Sequence, residues 1–215
     1  MRNFIAHINK LWASVPPKIT KNNMEIAKGF KNTDYLNLNL EDINSPDYLK
    51  AIEIFEKRII DRFIEPIDKL IEFENHLPST SKKYGFIIIS SDCMVLENLQ
   101  SFYNGAETSD KNAKKFFVEF LTTRENFRTH FNDATAKYFF EDIRCGIIHQ
   151  LETYRNSKIY SIGSLISEVD NGIIINRNLF HENLKKEFLI YTNSLKTSTL
   201  NRVNFKKKMD FICNR

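Results

Sequence analysis

Residues 139–154 have the sequence FFEDIRCGIIHQLETY, in which apolar side chains surround one arginine and one histidine. These are Arg144, a permanent cation, and His149, an imidazole. A guanidinium stabilises negative charge on a phosphate group, and an imidazole transfers protons near neutral pH. We therefore take Arg144 and His149 as the candidate catalytic pair.

The helix that would carry this pair is predicted at residues 134–151. Apolar residues recur there at steps of three and four, which is typical of a helix with one buried face. Positions five apart are displaced by about 140° around a helix, so Arg144 and His149 do not share one stripe. Two copies of the helix, paired across a two-fold axis, would bring two arginines and two histidines into one cleft. Arg144 is long enough to reach round the helix within one chain, but a composite site in a homodimer is the simpler geometry.

Two acidic residues upstream are candidates for orienting Arg144. Asp92 and Glu97 lie in the mainly apolar segment 84–102, whose length favours a buried helix, although its early part, GFIII, also fits a strand. A buried carboxylate is costly without a partner, so each acid predicts a nearby cation, and Arg144 is one candidate. Two alternatives stay open. The acids could lie on the surface and pair with lysines, or Arg144 could form a purely structural ion pair with Glu97 or Glu141.

The remaining segments predict further helices and one hairpin. Residues 47–76 are predicted to form a long amphipathic helix with a kink at Pro66, where proline removes a backbone hydrogen bond. KIYSIG at 158–163 and GIIIN at 172–176 are predicted to pair as a β-hairpin. Other helices are predicted at residues 1–17, 109–121, 125–131, 178–195 and 198–212. The fold class that follows is all-α, a helical bundle with a small β-hairpin between the motif helix and the C-terminal helices.

The chain length indicates how many domains to expect. A chain of 215 residues is long enough for one domain with a substantial core, and 6 glycines and 5 prolines suit a mainly helical protein. We expect a single domain over residues 1–215. It divides into an N-terminal arm at 1–47, a helical core with the Arg-His motif at 48–155, and the hairpin with the last helices at 156–215.

Charge and cysteine content indicate the partners and the cellular compartment of the protein. Residues 1–24 and 202–215 each carry a net charge of +4, which suits contact with a polyanion, although solvated basic ends are the more common case. Cys93, Cys145 and Cys213 are odd in number and lack metal-ligand spacing, so neither a disulfide framework nor a zinc site is predicted. No apolar run approaches the roughly 20 residues that span a bilayer. We expect a cytoplasmic protein with reduced thiols, no membrane contact, no metal and no cofactor.

The order of the helices, with IRCGIIHQLET near the end of the motif helix, resembles the HEPN superfamily, whose common motif is an arginine followed a few residues later by a histidine. The likeness is best over residues 48–154, to uncharacterised prokaryotic HEPN proteins with an RCG-apolar-apolar-HQ segment. The resemblance implies a HEPN-like helical bundle and a homodimer. It also implies a metal-independent ribonuclease of a toxin–antitoxin or antiviral defence system, with Arg144 and His149 as catalytic residues.

The function that this resemblance implies is cleavage of RNA through attack by its own 2′-hydroxyl group. His149 would act as general base or acid, and Arg144 would hold the phosphate and stabilise its developing charge. Gln150 would orient the scissile phosphate, while Asp92 or Glu97 would orient Arg144. The expected product is a 2′,3′-cyclic phosphate.

Two other functions stay open at this point. The same cleft could bind RNA, a nucleotide or a protein partner such as an antitoxin without cleaving anything. Cys145 favours this binding function slightly, because many active HEPN proteins have a polar residue directly after the arginine. A purely structural dimer is the third possibility, and it is favoured if Arg144 is buried in a closed ion pair.

Overall fold

A computed structural model describes residues 23–215, so the helix predicted at residues 1–17 lies outside the described part of the chain. The helices are α1 (Asn32–Leu36), α2 (Pro46–Ile59), α3 (Glu65–Asn75), α4 (Gly85–Asn104), α5 (Ala113–Thr123), α6 (Asp133–Tyr138), α7 (Gly146–Gln150), α8 (Arg177–Ser194) and α9 (Thr199–Cys213). The strands are β1 (Glu25–Ala27), β2 (Phe30–Lys31), β3 (Lys158–Tyr160), β4 (Ile166–Val169) and β5 (Gly172–Asn176). Shorter helical segments are the 3₁₀ turn Ser79–Ser81 and the π-helical segments Ile60–Ile64 and Phe139–Cys145.

These strands make the fold mixed α/β, so the all-α fold class predicted from the sequence is wrong. β1 and β2 form an antiparallel pair, and β3, β5 and β4 lie side by side in a three-stranded sheet. The central strand is β5, which pairs in parallel with β3 and antiparallel with β4. Its Ile173 and Ile175 are fully buried, and such β-branched side chains suit a covered strand. A helical bundle with a hairpin therefore describes the architecture only in part.

The hairpin also has different partners from those predicted. The strand GIIIN forms its hairpin with β4, which lies in the segment that the sequence assigned to a loop. Lys158–Tyr160 pairs with the same strand in parallel instead. A two-residue turn joins β4 to β5, and its Asn171 has a positive φ of 54°. Asparagine adopts this conformation more readily than most residues, so the turn has a local cause.

The helix α4 is central, and it packs against α5, α8 and α9. Beside it lies an aromatic cluster formed by Phe55, Phe102, Tyr191 and Phe205, all fully buried. Their ring centroids lie 4.6 to 6.1 Å apart. Burial of one phenylalanine side chain contributes about 1.5–3 kcal/mol, and a tilted or edge-on ring pair adds about 0.5–1.5 kcal/mol. The cluster therefore holds α2, α4, α8 and α9 together.

Two long helical runs each contain a π-helical segment. The first continues from α2 through Ile60–Ile64 into α3, whose second residue is Pro66. Proline has no N–H to donate to the carbonyl four residues earlier, so the wider turn has a local cause. The long helix predicted at 47–76 is thus present and is interrupted at its proline. The second run continues from α6 through Phe139–Cys145 into α7.

Residues 24–45, in the described part of the chain before α2, pack against the core. Ile26, Ala27 and Tyr35 are buried, and the Asn32 side-chain amide donates a hydrogen bond to the Cys213 carbonyl at 2.9 Å. Between α5 and α6, consecutive turns replace the short helix predicted at 125–131. Across residues 23–215, no helix combines the length and the apolar character needed to cross a membrane.

Candidate functional site

The π-helical segment Phe139–Cys145 carries Arg144 at its C-terminal end. Phe139 and Ile143 are fully buried and Ile147 is buried, whereas Ile148 and Leu151, which the sequence places on the same apolar face, are exposed. A π-helical turn closes through hydrogen bonds between residues five apart, and such turns occur frequently at functional sites. The segment packs against α4, the helix with both candidate acids.

Glu97 is the acid that holds Arg144. Its Oε2 lies 3.1 Å from Nη2 of Arg144, and the two side chains are 15% and 20% exposed, respectively. The other carboxylate oxygen accepts a hydrogen bond from the Ser109 hydroxyl, so both oxygens are bonded. The Nε of Arg144 is buried and has no hydrogen-bond partner within the described chain. Glu97 therefore fixes the guanidinium without satisfying all of its donors.

Arg144 opens onto a polar cleft of about 310 Å³. Lys208 on α9 and Arg215 beyond it line the same cleft, so Arg144 lies in one cleft with two cations from a distant segment of the sequence. Glu107 and Asp110 also line it, which gives the cleft mixed charge. Two of the cations belong to the basic segment 202–215, for which the sequence suggested contact with a polyanion.

The charge of Lys208 depends on pH close to neutrality. Burial, followed by repulsion from Arg215 and Arg58, lowers the pKa of the Lys208 amine to about 8. Its Nζ donates a hydrogen bond to the backbone carbonyl of Glu107 at 2.5 Å. The amine is therefore charged at pH 7 and loses its charge as the pH rises through about 8.

His149 and Gln150 occupy the last turn of α7, and both are exposed. Neither residue lines the cleft at Arg144, and His149 forms no hydrogen bond or ion pair with any residue from 23 to 215. Cys145, next to Arg144, is half-buried with a free thiol. One chain thus leaves Arg144 and His149 in different surroundings, as their displacement around the helix predicts.

The chain folds back sharply after His149. Leu151 ends α7 with a φ of 58°, and the Glu152 N–H reaches the Gly146 carbonyl at 3.5 Å. A Cβ atom at position 146 would collide with the carbonyl oxygen of Glu152. A glycine is therefore required at position 146, because the backbone of Glu152 packs directly against it. This contact places the chain that follows α7 against the start of the same helix.

A buried carboxylate that was not among the residues predicted for the site holds the loop after this turn. Asp142 is fully buried and accepts hydrogen bonds at 2.7 Å from Nε of Arg155 and from the Ser157 hydroxyl. The Tyr154 N–H also donates to the Asp142 carbonyl, at 3.0 Å. The only sequence signal for this role is an acid inside an otherwise apolar helix. Asp142 thus connects the motif helix to the start of the three-stranded sheet.

Asp92 is buried but does not orient Arg144. Its Oδ1 lies 2.8 Å from Nδ1 of His181, a buried side chain on α8. Burial raises the pKa of the Asp92 carboxyl to about 6. The other ring nitrogen of His181, Nε2, lies 3.3 Å from Oδ1 of Asp68. Nζ of Lys185 lies 2.6 Å from the same oxygen. The two acids of α4 therefore have different partners, and only Glu97 belongs to the Arg144 site.

Apolar side chains are exposed beside the site on α4 and α7, two helices that pack together. Met94, Ile148 and Leu151, which we call the α4–α7 face, are 52%, 49% and 82% exposed. Met94 also lines the Arg144 cleft. Single exposed apolar residues are ordinary, but several on adjoining helices indicate a surface suited to another chain.

Among the residues that the structure describes, no group of three or more His, Cys, Asp or Glu side chains is arranged to hold a metal ion. Comparison of the chain with models of protein families, with curated proteins and with solved structures finds no match. The residues and geometry of this chain are therefore the basis for assigning a function.

Proposed function

We propose that the protein is an endoribonuclease that acts as a homodimer and cleaves RNA without a metal ion. The observation that carries the proposal is the Arg144 guanidinium, fixed by Glu97 at a cleft that also holds Lys208 and Arg215. Three cations in one cleft suit an RNA backbone, because each phosphate contact releases counterions. The resemblance of the Arg-His segment to HEPN proteins supports the same activity. We place it in the cytoplasm, in toxin–antitoxin or antiviral defence.

In the proposed reaction, the neutral imidazole of His149 removes the proton of a ribose 2′-hydroxyl group. The 2′-oxygen attacks the adjacent phosphorus, and the bond from phosphorus to the 5′-oxygen breaks. The leaving oxygen takes a proton from water, and the imidazolium returns its proton to the solvent, which leaves a 2′,3′-cyclic phosphate and a 5′-hydroxyl end. Arg144 neutralises charge on the non-bridging oxygens, and Gln150 donates a hydrogen bond to the same phosphate.

The dimer is part of this proposal because a single chain leaves His149 outside the Arg144 cleft. The α4–α7 face lies beside both residues, and it is the surface that a second copy would cover. A two-fold axis through this face would bring Arg144 of one copy towards His149 of the other. The motif then acts as a composite site, which fits two residues that do not share one helical stripe.

A second function is favoured by two specific observations. Arg144 is already paired with Glu97, and His149 does not line the cleft. In that case the cleft would bind RNA or a nucleotide without cleaving it, or a protein partner such as an antitoxin. The two functions differ in whether a phosphodiester bond breaks, so one experiment separates them.

That experiment incubates labelled structured RNA with the purified protein in EDTA and identifies the product ends. We expect cyclic-phosphate ends from the wild type and none from Arg144→Ala or His149→Ala, at unchanged oligomeric state. Arg128→Ala and His130→Ala are matched controls, because both residues are exposed and lie on a loop outside the site. RNA that is bound but stays intact would favour the binding function. Equal cleavage by all variants would exclude the proposed mechanism.

A further inference from the structure

A second cleft of about 400 Å³ lies at the beginning of α4. It is lined by residues from the segment before α4, from β3 and its following loop, and from the start of α8. Glu97 lies twelve residues after Gly85 on the same helix, which corresponds to roughly 18 Å along the axis. The second cleft is therefore separate from the Arg144 cleft.

The start of α4 is open to the second cleft. Gly85 is the first residue of this 20-residue helix, and it lines the cleft. The preceding Tyr84 provides no side-chain cap, so the first N–H groups of the helix keep their partial positive charge. A helix start of this kind favours an anion such as phosphate, but it does not make a site by itself.

Arg177 provides an independent indication of a ligand. Its side chain is 3% exposed and lines the second cleft. One terminal nitrogen pairs with Glu74, but the buried Nε has no hydrogen-bond partner within residues 23–215. A Cβ atom on Gly85 would lie 3.6 Å from Nη1, so the guanidinium is directly beside the helix start. A buried donor without a partner is costly, and a phosphate at this position would supply acceptor oxygens.

The lysines of the second cleft are not neutralised by Glu74, the buried acid that pairs with Arg177. Glu74 uses its carboxylate oxygens for Arg177 and for the backbone N–H groups of Lys83 and Tyr84. Lys82 and Lys83 line the cleft, and neither ammonium group pairs with a carboxylate in the described part of the chain. Two free cations therefore stand beside the guanidinium and the helix start.

The remaining wall of the second cleft is apolar. Phe86, Ile159, Tyr160 and Ile162 line it, and Tyr160 and Ile162 are exposed. The volume falls within the usual range for small-molecule sites, and aromatic side chains stack on nucleobases without requiring a particular base. We infer that the second cleft binds a nucleoside 5′-phosphate, with its phosphate at the start of α4 and its base against the apolar wall. This chemical group occurs both in a free nucleotide and at a 5′-phosphorylated RNA end.

The test is isothermal titration calorimetry of the full chain with AMP, adenosine, inorganic phosphate and a 5′-phosphorylated trinucleotide. AMP should bind at least roughly tenfold more tightly than adenosine or inorganic phosphate, because each of these lacks half of the contacts. The double variant Lys82→Ala/Lys83→Ala should weaken AMP binding roughly tenfold, because two charge-assisted contacts are lost. Lys186→Ala, which removes an exposed cation elsewhere on α8, should leave the affinity unchanged. Tyr160→Ala should weaken AMP binding and leave phosphate binding unchanged.

The trinucleotide identifies the source of the phosphate. Tighter binding than AMP assigns the cleft to an RNA end, and equal or weaker binding assigns it to a free nucleotide. Failure of both 5′-phosphates to bind would overturn the inference, as would AMP binding that the double lysine variant does not weaken. Adenosine or inorganic phosphate that binds as tightly as AMP would also overturn it.

Discussion

Replacement of Glu97 by glutamine removes the charge that fixes Arg144. The amide keeps the size of the side chain and an acceptor for the Ser109 hydroxyl. Exposed ion pairs contribute about 0.2–1 kcal/mol, whereas loss of one partner from a fully buried pair costs about 3–5 kcal/mol. Because Glu97 and Arg144 are 15% and 20% exposed, we expect an intermediate loss of about 2 kcal/mol in the free energy of unfolding. For a chain of this size, the melting temperature should fall by about 4–8 °C.

Thermal unfolding followed by circular dichroism measures this loss. Glu141→Gln is the matched control, because Glu141 lies on the same helical run as Arg144 but pairs with Lys114 and Arg155 at the surface. In the cleavage assay, Glu97→Gln should lower kcat roughly a hundredfold with little change in KM. A displaced Arg144 guanidinium stabilises the transition state less, while it still attracts the phosphate of the bound substrate. A melting temperature equal to that of Glu141→Gln would refute the role of Glu97 in fixing Arg144.

RNA binding should weaken as the pH rises through about 8, because the lowered pKa of Lys208 leaves its amine charged below that value and neutral above it. Filter binding at several pH values measures this, and Lys208→Arg, which stays charged, should remove the dependence. Gly146→Ala should lower the free energy of unfolding by about 1–3 kcal/mol in urea, because the added methyl group collides with the Glu152 carbonyl; wild-type stability would show that the turn adapts. Leu151→Glu should give monomers in analytical ultracentrifugation and abolish cleavage while the circular dichroism spectrum of the folded protein is retained, whereas a persistent dimer would place the interface elsewhere.

Helices follow from local sequence here more completely than strands do. Apolar residues at steps of three and four identify α2 and the run from α6 to α7, because each of these buries one face in the core. The length of its apolar segment identifies α4. KIYSIG and GIIIN are recognisable as strand sequences, but their pairing is not local. A parallel pair such as β3 and β5 has no turn signal between its strands, and the polar residues of β4 resemble a loop. The all-α fold class fails for this reason.

The candidate site shows the same limit. A buried carboxylate requires a partner, which predicts the contact between Glu97 and Arg144. The same rule does not distinguish Glu97 from Asp92, whose partner His181 lies 89 residues further along the chain. Lys208 reaches the cleft only through the packing of α9 against α4. Local spacing therefore identifies the motif, whereas tertiary structure decides which charges surround it.

Cleavage by mixed dimers tests the composite site most directly. Arg144→Ala and His149→Ala are each inactive alone in the proposed mechanism, but a dimer with one copy of each keeps one Arg144 and one His149 in its shared cleft. Equal amounts of the two variants, combined by co-expression, should recover roughly a quarter to a half of wild-type RNA cleavage in EDTA. A mixture that forms dimers and stays as inactive as the separate variants would contradict a site built from two chains.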